Sequence, residues 1–285
     1  MKIYLLTFAS NNTNYIIARD RLISQANQAA FFDEFIEITE SDLPVKHKIF
    51  YSENKDFLED KKTRGYGYWI WKPYLVKYAL NQILNDDDIL VYIDVGCEIC
   101  YLAEKRFGQY INTTKKHGGL FFSTGFPEAN WTKADLIAHF DIHSLNFNQV
   151  QASFFFIKKC EKVCSLVDKW FSITSDKHFI DDSPSIKPNF NGFIEHRHDQ
   201  SILSLLVHMD NYPIINQNFC FNSSYYYKNS YVFSYPIHAI RNISSHSLLK
   251  EFTEKSDVSS IYSTRSIIRY NYNRILQLLK RRLKK

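Results

Sequence analysis

A three-layer α/β/α sandwich built on a mostly parallel sheet is the fold class predicted for this 285-residue chain. Three observations predict it. Strand-like and helix-like segments alternate along the chain, the signature of βα units. The segment Ile89-Leu90-Val91-Tyr92-Ile93 is apolar on both faces, as a strand covered by helices on both sides must be. No Pro/Gly/Ser-rich linker divides the chain before residue 260, so one core is expected there.

Residues 2–8 read as the first strand. They are too short and too close to Met1 for a secretion signal, and no apolar run approaches the roughly 18 residues needed to cross a bilayer. Ser10-Asn11-Asn12-Thr13 offers capping side chains for a helix to about residue 30, and 35–38 reads as a second strand. A polar stretch at 52–62 follows. Pro73 suits the first turn of a helix whose apolar positions, Leu75, Val76, Ala79, Leu80, Ile83 and Leu84, lead into the Ile89 strand. Residues 119–122 and 153–157 are short apolar strands, and 163–171 and 200–209 are helices.

Five cysteines, an odd number, argue against a closed disulfide framework, and Cys160 and Cys164 read as neighbours on a helix rather than zinc ligands. The net charge of +5 is local: residues 265–285 hold eight Lys/Arg and no acid, leaving 27 basic against 30 acidic residues in 1–264. Within that tail Ile268, Tyr272, Ile275, Leu276, Leu279 and Leu283 recur at helical spacing. A basic amphipathic helix of this kind suits an anionic membrane surface, or docks on the domain with a solvated basic end. Nucleic acid is not expected, because the rest of the chain is acidic and no nucleic-acid-binding motif accompanies the tail. The expected organisation is a domain over 1–250 followed by a tail over 251–285, in a cytoplasmic protein peripheral to the inner face of the plasma membrane.

Polar islands interrupt the apolar pattern. Asp94-Val95-Gly96 places a carboxylate at the C-terminal mouth of the buried strand, where open α/β sheets bind ligands, or where an acid caps a turn. Arg64-Gly-Tyr-Gly-Tyr68-Trp-Ile-Trp71-Lys72-Pro73 combines two glycines, flat aromatic walls and two cations able to meet phosphate, or forms a hinge of buried aromatics. Glu195-His-Arg-His-Asp199-Gln200 opens a helix and carries more titratable groups than a cap requires. Tyr235-Pro-Ile-His238-Ala-Ile-Arg241-Asn242 holds a candidate metal ligand, His238, and a candidate phosphate contact, Arg241.

In this order the islands resemble a glycosyltransferase of the nucleotide-diphospho-sugar transferase (GT-A) fold, of the kind encoded in bacterial capsule and lipopolysaccharide loci. The resemblance spans roughly residues 1–245. It implies that Thr7, Ser10 and Asn11 hold the nucleotide base, that Asp94 and Gly96 stand at the family's Asp-x-Asp, and that Gln151 and Ser153 stand at its Asn-x-Gly. Asp199-Gln200 matches its Asp-Gln pair and His238 its late metal-shell histidine. It further implies a nucleotide-diphosphate sugar as donor, a surface-polysaccharide or lipid-linked glycan as acceptor, and Mn²⁺ or Mg²⁺ held by Asp94 and His238. Arg64, Tyr68, Trp71, Lys72 and Arg241 would serve the donor, and Asp199, Gln200 or Glu195 the chemistry. Two departures stand out: Gly96 replaces the second Asp, removing a carboxylate from the metal shell, and Gln151 replaces Asn. Two rival readings are a non-catalytic glycan-binding or membrane-scaffold protein and a sugar-1-phosphate nucleotidyltransferase. The latter needs a Gly-rich loop after the first strand, where this chain has Ser10-Asn11-Asn12-Thr13.

Overall fold

The computed structural model describes residues 1–216, 233–249 and 251. The basic tail at 265–285 lies outside the described residues.

The strands are β1 (Ile3–Ala9), β2 (Glu34–Thr39), β3 (Ile89–Ile93), β4 (Glu98–Ile99), β5 (Gly119–Pro127), β6 (Asn148–Val150), β7 (Phe154–Lys158), β8 (Ile214–Asn216) and β9 (Ile237–His238). The main sheet runs β2-β1-β3-β7-β5-β6, with β8 also against β5, and β4 pairs with β9 apart from it. β1 pairs in parallel with β2 and β3, and β8 with β5. β7 lies antiparallel between β3 and β5, so those two run the same way, and β6 is antiparallel to β5. The sheet is thus mostly parallel by strand direction, as expected.

Its helices are α1 (Thr13–Ala29), α2 (Leu43–Lys46), α3 (Lys48–Glu59), α4 (Gly65–Tyr68), α5 (Trp71–Gln82), α6 (Glu104–His117), α7 (Ala134–His139), α8 (Glu161–Thr174) and α9 (Asp199–Met209). Alternation along β3 builds the three layers. Leu90 and Tyr92 join one core with α5, α8 and α9, while Ile89, Val91 and Ile93 join the other with α1 and α6. All five are wholly buried, each worth about 1.5–3 kcal/mol.

Local chemistry explains the entries. Asn12 caps α1 by accepting the Asn14 N–H at 2.9 Å. Asp88 fixes the approach to β3 by accepting the N–H groups of Lys2 and Asn85 at 2.6 and 3.0 Å. The polar stretch at 52–62, for which the sequence names no element, is mostly α3, whose described buried residues are only Phe50 and Leu58. So narrow an apolar stripe is a weak periodic signal. Among the described residues no helix is long and apolar enough to cross a membrane.

Candidate functional site

The site is assembled where β3 ends. Asp94 leaves the strand with its N–H donating to the Ser153 carbonyl at 2.8 Å, and its own carbonyl accepts from Cys97 at 2.9 Å, closing a turn over Gly96. With the period of two, Asp94 shares the face of Tyr92, whose hydroxyl donates to Asp94 Oδ1 at 2.5 Å. Burial and the neighbouring Asp94 charge hold the Tyr92 phenol well above its ordinary range, so it remains a donor.

Beneath Asp94 sits Lys72, delivered by the first turn of α5 and almost fully buried. Its Nζ is 3.2 Å from Asp94 Oδ1, 3.6 Å from Asp199 Oδ2 and 3.0 Å from the Ala152 carbonyl oxygen, to which it donates. Burial works to lower the ammonium's pKa, but Asp199 and Asp94 outweigh it and the pKa is raised, so Lys72 stays charged. Asp199 is pushed up to about 7 by burial, with Lys72 opposing and Asp94 adding to the rise. The 3.6 Å separation is an ion pair rather than a hydrogen bond, and Asp199 Oδ2 is buried without a hydrogen-bond partner. Gln151, buried as well, has both side-chain ends unpartnered. Orphaned polar atoms are rare in folded cores, and three of them occur in these two side chains.

The rim is strained and carries paired charges of both signs. Residues 65–69 all have φ between 51° and 73°, a left-handed turn that includes Tyr66, Tyr68 and Trp69. Each non-glycine residue held there costs about 1–2 kcal/mol. Gly65 is required, since a Cβ there would lie 2.2 Å from the Trp69 ring. Facing this turn, His198 adopts φ 54° and ψ −128°, also a glycine-type conformation, just before α9. Its Nδ1 is 2.7 Å from the Ile180 carbonyl oxygen and its Nε2 is 2.8 Å from an Arg64 nitrogen. Those partners assign the neutral tautomer with hydrogen on Nδ1, and burial lowers its pKa to about 4. Arg64 also reaches Asp182 and Glu195, each at 3.2 Å. Arg197 pairs with Glu195 at 2.9 Å and lies 4.2 Å over the Trp131 ring.

The islands read from the sequence take different roles. Asp94 and Asp199 converge on the Lys72 ammonium. Arg64 and Glu195 meet on the rim, with Tyr68 ring-to-ring against His198 at 4.8 Å. Ser10 is half-buried and Asn11 exposed beyond β1, where Asn11 bonds Glu40 and Ser41. Gly96 accepts the Asn242 N–H at 2.9 Å, and a Cβ on it would lie 3.4 Å from the Arg241 Cα, so Arg241 is carried against this turn. Ser153 contributes its carbonyl to Asp94.

Other expected contacts are committed to the fold. Thr7 is wholly buried, its hydroxyl donating to the Ile93 carbonyl at 2.7 Å, which ties β1 to β3 rather than offering a base contact. Trp71 is buried, stacked on Phe8 at 4.0 Å. Gln200 accepts the Ala152 N–H at 3.2 Å and donates to Gln149 at 2.7 Å, so both its ends brace the loop beside Asp94. His238 is wholly buried with Nε2 2.8 Å from the Tyr235 carbonyl oxygen, and burial lowers its pKa to about 4. No group of three or more His, Cys, Asp or Glu able to hold a metal ion occurs among the described residues. The expected cation shell of Asp94 and His238 is therefore not completed there.

The sequence marks Tyr92 only as a residue of the apolar strand and gives Arg21 no role. Tyr92 was legible as the residue two before Asp94 on the same strand face. Arg21 was not: it sits 6% exposed on α1, and its guanidinium donates to the carbonyls of Val95, Cys97, Asn242 and Ser244 at 2.9–3.0 Å. It clamps the Gly96 turn to the segment bearing Arg241.

No family model matches the chain, and no curated relative does. Among solved structures it is similar to GlyE, a glycosyltransferase of Streptococcus pneumoniae TIGR4, at 15% identity and TM-score 0.43, covering 92% of this chain and 62% of that one. It is also similar to a glycosyltransferase involved in glycosylation of the major capsid of PBCV-1, at 10% and 0.42, covering 90% and 98%. Mouse xyloside xylosyltransferase 1 aligns at 11% and 0.39, covering 87% and 95%. At these identities and TM-scores the likeness does not bear on the chain's activity.

Proposed function

We propose that this protein is a glycosyltransferase that moves a sugar from a nucleotide-diphosphate donor to a hydroxyl of a glycan or lipid-linked acceptor. The observation that carries the reading is the convergence of three separate segments, at Asp94, Ala152 and Asp199, on the Lys72 ammonium, at the ligand-binding end of the sheet. A site for an anionic diphosphate bonded to a neutral, hydroxyl-rich sugar needs cations at its mouth and unsatisfied polar groups behind them. Arg64, Arg197 and Arg241 supply the first; Gln151 and Asp199 supply the second.

In this reading the half-buried Asp94 faces the donor, oriented by Tyr92 and Lys72. Asp199 is a positioning residue, acting on Asp94 through Lys72, and Gln200 braces the loop that carries Gln151. Glu195, on the rim between Arg64 and Arg197, is the carboxylate placed to accept the proton of an incoming acceptor hydroxyl. The guanidinium groups would stabilise the departing nucleotide diphosphate, the largest electrostatic demand of the step. Residues 265–285 are proposed to hold the protein at an anionic membrane surface, and their deletion should abolish co-flotation with anionic liposomes.

The decisive experiment incubates the purified protein with a panel of nucleotide sugars and oligosaccharide or lipid-linked acceptors, following nucleotide release. Release with one donor, lost in Asp94→Ala, is expected. No release with any donor, or full turnover in Asp94→Ala, defeats the reading. Glycan binding by calorimetry without nucleotide binding would instead favour the scaffold alternative.

A further inference from the structure

We propose that Glu128 is a positioning residue of this site, fixing the seat of the Lys72 ammonium through a relay of hydrogen bonds that all donate in one direction. The proposal rests on the donor reading above and adds to it a carboxylate that none of the polar islands contains.

Glu128 stands directly after β5 and is wholly buried. The partners of its carboxylate are neutral: the hydroxyls of Thr132 and Ser204 and, at 3.2 Å, the Gln149 amide. A buried carboxylate held by neutral groups is costly, and each group that stabilises the anion must donate to it. Burial pushes its pKa up to about 7 against the pull of these three donors, so at about pH 8 it is an anion.

The sense of each link follows from the one before it. A backbone N–H can only donate, so the Gln200 end that meets the Ala152 N–H at 3.2 Å is its oxygen. Its other end is then the NH₂, which donates to Gln149 Oε1 at 2.7 Å. Gln149 is left with its own NH₂ facing Glu128 Oε1, an acceptor. Ala152, at the head of this chain, is the residue whose carbonyl takes the Lys72 ammonium at 3.0 Å. A buried cation and a buried anion thus stand at the two ends of a run of donors pointing from one to the other. In such a run each hydrogen bond polarises and strengthens its neighbours.

The same Gln149 NH₂ lies 3.2 Å from Ser201 Oγ, which accepts the Arg197 N–H at 3.2 Å and donates to the Trp131 carbonyl at 2.8 Å. One amide held by Glu128 therefore seats both the loop under Lys72 and the rim turn that carries Arg197 between Glu195 and the Trp131 ring. The Ala152 N–H that Gln200 fixes belongs to the peptide that follows Gln151, whose two unpartnered side-chain ends are buried beside it.

The test compares the wild type with Glu128→Gln, Gln149→Met and the double variant at about pH 8, by two readouts. The first is the Ala152 amide proton in a TROSY spectrum of the ¹⁵N-labelled full chain; the second is kcat/KM for the donor that responds in the nucleotide-release panel. Glu128→Gln should move the Ala152 proton upfield by about 0.1 ppm or more and lower kcat/KM about fivefold, since a charged acceptor becomes a neutral one. Gln149→Met should do at least as much, and adding Glu128→Gln to it should change nothing further, because the relay is already cut. A folded Glu128→Gln in which either readout stays at wild type overturns the proposal. So does a double variant in which the two losses multiply, the result for a carboxylate that acts on the fold alone. Should Glu128→Gln not fold, Gln149→Met decides, since it cuts the relay and leaves Glu128 its two hydroxyls: an unmoved Ala152 proton overturns the proposal, and a moved one with reduced turnover upholds it. No release by the wild type with any donor defeats the donor reading and leaves the relay to the Ala152 resonance.

Discussion

Replacing Lys72 by Met should destabilise the protein in a way that grows with pH, because the ammonium holds down the carboxyl of Asp199. Both side chains are almost fully buried and 3.6 Å apart. At an effective dielectric of about 20 their attraction is about 4–5 kcal/mol, equivalent to about 3 pH units. Asp199 already stands at about 7 in the folded protein, against about 3.9 in an unfolded chain. The folded value is raised. The stability contributed by the neutral carboxyl is therefore complete below about pH 4 and is lost as pH rises through the folded value. In the wild type that loss ends near pH 7; in Lys72→Met, with the folded value moved to about 10, it continues at about 1.4 kcal/mol per pH unit.

Urea unfolding at about pH 6 and about pH 9, followed by tryptophan fluorescence, should show the penalty of Lys72→Met increasing by about 2.5 kcal/mol between them. This comes on top of a constant cost for the lost Asp94 and Ala152 contacts. In an Asp199→Asn background the increase should vanish, since no carboxyl remains to titrate. An equal penalty at both pH values would refute the coupling of Lys72 to Asp199, and with it the convergence on which the site is built.

Three further outcomes follow from the same geometry. Tyr92→Phe removes a charge-assisted donor from Asp94 and should cost about 1.5–3 kcal/mol in urea unfolding. Arg21→Met leaves the three buried carbonyls of Val95, Cys97 and Asn242, and the part-buried one of Ser244, without this donor, and a loss above about 3 kcal/mol is expected, with amide exchange rising at 95–97 and 242–244. Gly65→Ala forces the Trp69 ring away from a contact at 2.2 Å and strains a φ of +59°, so thermal unfolding should fall by several degrees with an altered tryptophan emission.

Local pattern alone determined the layered α/β class, the buried β3 strand with Asp94 at its mouth, a capping segment for α1 at Ser10–Thr13 and the Pro73 entry to α5. Each depends on spacing of 2 or 3.6 residues or on a capping side chain, and such preferences act over a few positions whatever the rest of the chain does. Local pattern also marked Lys72 and Asp199 as unusual, a cation in an apolar stretch and an acid at a helix start. What it left open was their partner. Residues 72, 94, 152 and 199 meet only because β7 inserts antiparallel beside β3 and α9 packs against α5 and α8 through one core, contacts made across as many as 127 positions of chain. The tertiary structure likewise turned Thr7, Trp71, Gln200 and His238 into parts of the scaffold, since the hydrogen bonds and ring contacts each makes inside the fold are not revealed by its identity. It also gave Arg21 a role. Electrostatics inside a fold follows distance through space and the loss of water, and neither is written in the order of residues.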